Sequence, residues 1–415
     1  MTTHILRAGR MWDGESEQLR NDVEITVEGT SIVDVRDIDP SAPTTRVPEG
    51  TTVHDLGDAV VMPGLVDAHL HLRGMDDGIP AARDWSPFYR ILYAAQDLKK
   101  LLDAGVTSAR CMGSPLSPHL AKSVSDGITE GPRLLAAGEY ICQRGGTWDL
   151  VHQTLDEVNR YGIFADGVDE CRRRVRERIR SGSGVIKIGA SSGHACHTEV
   201  HTWGDDPSDV RRNYSAEEIS VMTEEAHRAG LKVSAHAIGD EAIRHAIDHG
   251  VDIIEHGHGA TPQTLDAIAE REVVVVPTLT LPYVRAVSGH EHGLPQHKID
   301  TWRMHHELQM ASVGEMKRRG IRVGAGSDLI GPPTTPMGIN ATEFKLLYQA
   351  GLSAYETLRA STNIGSELMG LSHSIGRISP GYLADVIAVP GSPFENLDVL
   401  RTPDFVMKDG VVHKQ

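Results

Sequence analysis

Polar and apolar residues alternate at both ends of the chain. His4-Ile5-Leu6-Arg7-Ala8, Val23-Glu24-Ile25-Thr26-Val27-Glu28 and Ser31-Ile32-Val33-Asp34-Val35 carry the period-two pattern of half-exposed antiparallel strands. Near the other end, Ala384-Asp385-Val386-Ile387-Ala388-Val389 stops at Pro390-Gly391, and Phe405 to Val412 reads as a hairpin turning at Asp409-Gly410. Strand-rich ends around a different middle predict that residues 1–60 and 375–415 form one small β-sandwich domain.

The pattern changes over residues 61–374. Short apolar runs, predicted as strands, cover Val60–Val66, Val106–Cys111, Leu134–Ala137, Val185–Ile188, Lys232–Ala235, Ile253–Ile254, Val273–Val276 and Arg322–Ala325. Helix-like stretches separate them. Asp169–Arg180 is charged on most faces, and Ser215-Ala216-Glu217-Glu218 is a cap-then-acid helix start running to Ala229-Gly230. Strands alternating with helices imply parallel βαβ units, and eight such strands predict an α/β fold of the (β/α)₈ TIM-like barrel type. The stretch Thr278–Glu307 is long for a connection and rich in histidine, which predicts a helical insertion or lid.

The 415 residues fit such a barrel with additions. A net charge of -16, with no basic cluster, excludes nucleic acid and anionic membrane surfaces as partners. No stretch has the ~20 apolar residues of a membrane helix, and the N-terminus lacks the apolar core of a signal peptide. The four cysteines are far apart in sequence, as in reduced thiols of a cytoplasmic protein.

Functional residues of such barrels sit at the C-terminal ends of strands. The first strand runs into His69-Leu70-His71, whose alternation puts both imidazoles on one face. The fourth carries Lys187 inside an apolar run, the fifth ends in His236, the sixth in His256 and the eighth in Asp328. Each has an ordinary role available alone: a hydrogen-bonded core histidine, a capping aspartate, a snorkelling lysine. Recurrence at the same end of several strands points instead to a metal site. Lys187 sharpens that reading. An ammonium buried beside cations is unfavourable by desolvation and by like charge. A neutral amine can take up carbon dioxide to become a carbamate, an anion with two oxygens that can bridge two cations.

The chain resembles the amidohydrolase superfamily of metal-dependent hydrolases. The resemblance rests on His69, His71, Lys187, His236, His256 and Asp328, with Gly376-Arg377-Ile378-Ser379-Pro380-Gly381-Tyr382-Leu383-Ala384-Asp385 matching the return from barrel to β domain. Within it the chain is similar to the binuclear branch of prolidase-like dipeptidases, arginine carboxypeptidases and ochratoxin-type amidases. That similarity includes Asp166–Glu170 through Ile188 and Asn213-Tyr214-Ser215-Ala216-Glu217-Glu218. The resemblance implies a cytoplasmic homo-oligomer acting on a small-molecule amide, peptide-like, N-acyl amino acid or dipeptide.

It further implies two divalent metal ions, zinc by the nitrogen and oxygen donors. His69, His71 and Asp328 would hold one, His236 and His256 the other, with carboxylated Lys187 between them. Asp328 would move the proton from water to the leaving amine. Tyr214 would stabilise the oxyanion and touch substrate. The chain departs from its relatives in two loops. Thr147 stands where they carry a substrate-facing histidine, and Ser191-Ser192-Gly193-His194 replaces a Thr-Gly-Gly-Val run. Thr147 and His194 are therefore candidate substrate contacts, with His152, His201 and Arg211 in neighbouring loops. Hydrolysis of a carbamate, urea or phosphotriester is the alternative on the same scaffold. A deaminase is disfavoured by Lys187 and by Ala237-Ile238-Gly239-Asp240 after His236, and a non-enzymatic role by the filled ligand positions.

Overall fold

The computed structural model describes residues 2–38, 49–73, 86–149, 154–159, 162–192 and 210–415. His152, His194 and His201 lie outside them.

The two chain ends share one sheet. Strands β1 (Thr3–Met11), β2 (Arg20–Glu28), β3 (Ser31–Asp37), β4 (Thr51–Asp55) and β5 (Val60–Pro63) precede the middle of the chain. The middle supplies β6 (Leu65–Leu70), β7 (Val106–Cys111), β8 (Arg133–Ala136), β9 (Ile186–Gly189), β10 (Val233–Ala237), β11 (Ile253–His256) and β12 (Val274–Val276). Then come β13 (Val386–Val389), β14 (Phe405–Lys408) and β15 (Val411–Lys414). The eight-stranded sheet runs β15-β14-β13-β5-β1-β2-β3, with β4 against β1. Its inward positions, among them Leu6, Val23, Ile25, Val27, Val386, Ala388 and Phe405, form a core of their own. The β14–β15 turn is made by Asp409 and Gly410 at φ 49° and 73°, the left-handed pair that fits the twist of a hairpin.

In the middle the strands are parallel, in a three-stranded sheet β6-β7-β8 and a four-stranded sheet β12-β11-β10-β9. The run expected as one strand over Val60–Val66 is divided at Gly64 between the eight-stranded sheet and β6. A Cβ at Gly64 would collide with the Thr107 side chain, so only glycine lets the chain cross there. The expected strand Arg322–Ala325 forms no regular ladder. It contributes a bridge from Val323 to Val275 and the bonds Gly324 N–H to Val275 O (2.9 Å) and Ala68 N–H to Ala325 O (2.8 Å). Glycines at 324 and 326 weaken strand pairing on this stretch. On the other side, Gly184 N–H donates to Ala136 O (2.8 Å) and Ile141 N–H to Lys187 O (2.9 Å), linking β8 to β9.

Twelve helices are described: α1 (Pro87–Asp103), α2 (Ser117–Ser125), α3 (Leu155–Asn159), α4 (Val168–Arg180), α5 (Ala216–Arg228), α6 (Asp240–Asp248), α7 (Pro262–Glu270), α8 (Thr280–Ser288), α9 (Gln296–Arg318), α10 (Ala341–Gln349), α11 (Ala354–Ala360) and α12 (Asn363–Leu368). The expected start of α5 is a full capping box, with the Ser215 and Glu218 side chains each bonded to the other's backbone N–H. The histidine-rich stretch is helical, as expected. It contains α8, a single 3₁₀ turn (Gly289–His292) and the start of α9. Glu343 of α10 anchors it by accepting from Leu279 N–H (3.0 Å), Thr280 N–H (2.8 Å) and Thr280 Oγ1 (2.7 Å). This carboxylate caps a helix whose own N-cap residue offers no side-chain bond. No helix among the described residues is long and apolar enough to cross a membrane.

Candidate metal centre

Three of the histidines expected at strand ends are tethered through Nδ1. His69 Nδ1 meets Glu255 Oε2 at 2.7 Å, His71 Nδ1 meets Gly113 O at 3.0 Å, and His256 Nδ1 meets Thr278 Oγ1 at 2.7 Å. A carbonyl oxygen can only accept, so His71 carries its proton on Nδ1 and presents a bare Nε2. Burial holds the His69 imidazole below its ordinary pKa, although Glu255 pulls the other way. With Nδ1–H donated to that carboxylate, His69 Nε2 is also bare.

The two Nε2 atoms lie 3.3 Å apart, and Asp328 Oδ1 is 3.1 Å from that of His71 and 3.5 Å from that of His69. Acceptor-only atoms converging in a buried place repel one another unless a cation lies among them. Ligand atoms of His69, His256 and Asp328 all fall within 4.8 Å of one another. His236 joins them, its ring 4.5 Å from that of His256, and burial with the nearby Lys187 holds its pKa well down.

Lys187 completes the set. It is 1% exposed, and its Nζ has no hydrogen-bond partner among the described residues. Burial lowers its pKa to about 8, the attraction of Glu255 and Asp328 notwithstanding. The residues therefore fit a bound divalent metal. Bare imidazole nitrogens and a carboxylate face inward, and the one amine among them has no hydrogen-bond partner among the described residues and a pKa lowered by burial to about 8.

The local backbone is built for this convergence. His256 and Asp328 sit at φ 72° and 54°, a conformation costing non-glycine residues of the order of 1–3 kcal/mol each. Asp67 ties the two chain segments together, accepting from His69 N–H (3.0 Å), Ser327 N–H (3.1 Å), Ser327 Oγ and Asn340 Nδ2. A Cβ at Gly326 would lie 2.7 Å from His69 Cβ and 2.9 Å from its N, so the eighth segment can pass the first only as glycine.

His69, His71, Lys187, His236, His256 and Asp328 line one cleft with Trp148, Thr278, Leu281, Pro282, Arg285, Trp302, Gln309 and Ile330. Two expected substrate contacts are not among them. Tyr214 is buried in the main apolar core, its phenol pushed up in pKa by burial and by the nearby Cys142 and Cys171, not by the histidine cluster. Its backbone sits at φ 61° with its N–H donated to Gln143 Oε1, and its hydroxyl has no hydrogen-bond partner among the described residues. Thr147 commits its hydroxyl to Ser191 O (2.7 Å), and the next residue, Trp148, faces the cleft instead. Exposed Arg211 pairs its backbone with Ser192.

Sequence reasoning missed Glu255 and Arg110. Glu255 is fully buried, and besides His69 it accepts from Arg110 NH2 (2.9 Å) and Ser234 Oγ. Arg110, His69 and Lys187 hold its carboxyl far below the normal range in spite of burial. A carboxylate between two apolar strand residues and a histidine, Ile253-Ile254-Glu255-His256, was the available signal. Glu255→Gln is expected to weaken metal affinity about 10–100-fold, as for other partners that orient a ligating imidazole. Competition with a fluorescent zinc chelator measures this, and an unchanged affinity would assign Glu255 to packing alone.

Bare imidazoles, a carboxylate and a buried lysine gathered at the ends of parallel strands define a metal-dependent hydrolase. The chain belongs to the amidohydrolase family, whose profile matches residues 60–412, and it is a hydrolase of carbon–nitrogen bonds. It is similar to ochratoxinase of Aspergillus niger, 29% identical over 97% of this chain and 84% of that protein. Among solved structures, a Xaa-Pro dipeptidase with methionine in its active site superposes with TM-score 0.88 at 26% identity, covering 100% of both chains. A prolidase complexed with N-methylphosphonate-L-proline superposes with TM-score 0.86 at 27% identity, again over 100% of both.

Proposed function

We propose that this protein hydrolyses small amides of the N-acyl amino acid or dipeptide kind, using two zinc ions. His69, His71 and Asp328 would hold one, His236 and His256 the other, and a carbamate on Lys187 would bridge them. The observation that carries the reading is the convergence of bare His69 and His71 Nε2 atoms, 3.3 Å apart, on the Asp328 carboxylate. The likeness to a Xaa-Pro dipeptidase and to ochratoxinase supports it. In this reading the two parallel sheets close as a (β/α)₈ barrel over residues 61–374, supported by the β8–β9 and β12–β6 links. Residues 1–60 with 375–415 form the β-sandwich domain. A cytoplasmic homo-oligomer completes it, in keeping with buried cysteines at 111, 142 and 171 that form no disulfide among the described residues.

When bound, the metal pair supplies a water acidified to near neutrality and a positive pole for the scissile carbonyl. Glu255, Gly113 O and Thr278 hold His69, His71 and His256 by Nδ1, so that no imidazole must rotate during turnover. Asp328 Oδ1 accepts the proton of the attacking water and delivers it to the leaving nitrogen. Trp148, Leu281 and Ile330 give the cleft apolar walls that keep bulk water from these transfers. The test is metal analysis together with turnover of N-acyl amino acids, dipeptides, carbamates and phosphotriesters by zinc-loaded protein. Preference for the amides with about two metals per chain is expected; preference for phosphotriesters or carbamates overturns the substrate class.

A further inference from the structure

Glu343 reaches the metal cluster through one intermediate residue. Its carboxylate accepts from the N–H groups of Leu279 and Thr280 and from Thr280 Oγ1. The residue just before that pair is Thr278, whose Oγ1 lies 2.7 Å from His256 Nδ1. Thr278 is fully buried at φ 56°. A β-branched residue stays in that region only where its surroundings hold it there. The two N–H groups that follow it are the ones Glu343 binds, so the carboxylate fixes the turn that aims the Thr278 hydroxyl at the imidazole.

Glu343 is itself anchored from the other side of the cluster. It stands three residues after Asn340, the N-cap residue of α10, so both project from one face at the helix start. Asn340 Nδ2 donates to Asp67, and Asp67 accepts from the N–H groups of His69 and Ser327. A continuous set of bonds therefore runs from the His69 strand end through the start of α10 to Thr278 and His256. The two imidazole rings it joins are 5.4 Å apart between centroids. Glu343 is 1% exposed, and burial raises its carboxyl pKa to about 8 against the bonds it accepts. A buried carboxylate on neutral donors is a costly helix cap, a task that serine, threonine or asparagine performs.

We infer that Glu343 is a positioning residue of the metal centre: through Thr278 it sets the direction of the His256 imidazole, and through Asn340 and Asp67 it ties that direction to His69. The inference rests on the reading of His69 and His256 as metal ligands. It adds to them a residue of α10 that does not line the cleft.

The test is equilibrium zinc affinity, read by competition between chelated protein and a chromophoric chelator, beside the visible spectrum of the cobalt-loaded protein. Circular dichroism checks that each variant is folded. Glu343→Gln keeps the size of the side chain but turns an amide N–H₂ toward one of the two backbone donors. It is expected to weaken zinc about 10-fold, and Thr278→Val about 10–100-fold, the range for groups that orient a ligating imidazole. Thr278→Ser keeps the hydroxyl and is expected to stay near the wild type. Because Glu343 acts through Thr278, adding Glu343→Gln to Thr278→Val should cost nothing further. The cobalt spectrum should shift in the same direction in both single variants. Where Glu343→Gln does not fold, Thr280→Ala, which removes one donor and leaves the carboxylate, reads the same link by a loss of zinc affinity. Wild-type affinity and spectrum in Glu343→Gln, in its substitute Thr280→Ala or in Thr278→Val overturn the positioning role and leave the metal site standing. Losses that add in the double variant, or a Thr278→Ser variant as weak as Thr278→Val, do the same. A wild type that binds neither zinc nor cobalt overturns both readings.

Discussion

Asp328→Asn is expected to keep its metal and to lose about 10²–10⁴-fold in kcat, the usual worth of a positioned acid–base group. Asparagine nearly matches the shape of aspartate and keeps one oxygen that can face His71 Nε2, now 3.1 Å from Oδ1. What it loses is the capacity to accept a proton. In the wild type that capacity resides in a buried carboxylate whose Oδ1 faces His71 Nε2. The backbone of residue 328 should not move, since its N–H donates to His69 O at 2.7 Å. Steady-state kinetics beside elemental analysis separates the two roles. A normal kcat would remove Asp328 from proton transfer, and loss of metal along with kcat would make it a ligand first.

Lys187→Ala should act through the metal pair itself. The wild-type amine is buried, lacks a hydrogen-bond partner among the described residues and is lowered by burial to a pKa of about 8. An appreciable neutral fraction near physiological pH is what reaction with carbon dioxide requires. Alanine cannot form the bridge, so metal content is expected to fall from about two ions per chain to about one or fewer, with kcat/KM reduced at least about 10³-fold as water activation is lost. Labelling with ¹³C-bicarbonate should give a carbamate resonance in the wild type and none in Lys187→Ala. Chelated wild-type protein should regain activity on zinc addition faster with bicarbonate present, and the variant should be indifferent to it. A wild type loaded with two ions and lacking that resonance would leave Lys187 as a free amine and refute the bridge.

The strand ends are legible because their chemistry conflicts with their setting. Histidines, an aspartate and a lysine closing apolar runs cost desolvation, and the alternation of strand side chains assigns His69 and His71 to one face from residue order alone. Capping at Ser215, the hairpin at Asp409-Gly410 and the helical nature of the 278–307 stretch follow from local rules of the same kind. The misreadings have local causes too. Val60–Val66 is apolar throughout, and nothing in its hydropathy marks Gly64 as the point where it changes sheets; the constraint is the Thr107 side chain from a distant strand.

By itself, then, the sequence determined the alternation of strands and helices, the pairing of the two ends in one sheet and the six ligand-type residues, because each depends on residue type and short-range period. Tertiary structure alone decided which imidazole nitrogen faces inward, through Glu255, Gly113 and Thr278. It also brought Trp148, Arg285 and Trp302 into the cleft. Those outcomes are set by contacts between residues up to 186 positions apart, as in His69 and Glu255, and no local pattern encodes the direction in which such side chains meet.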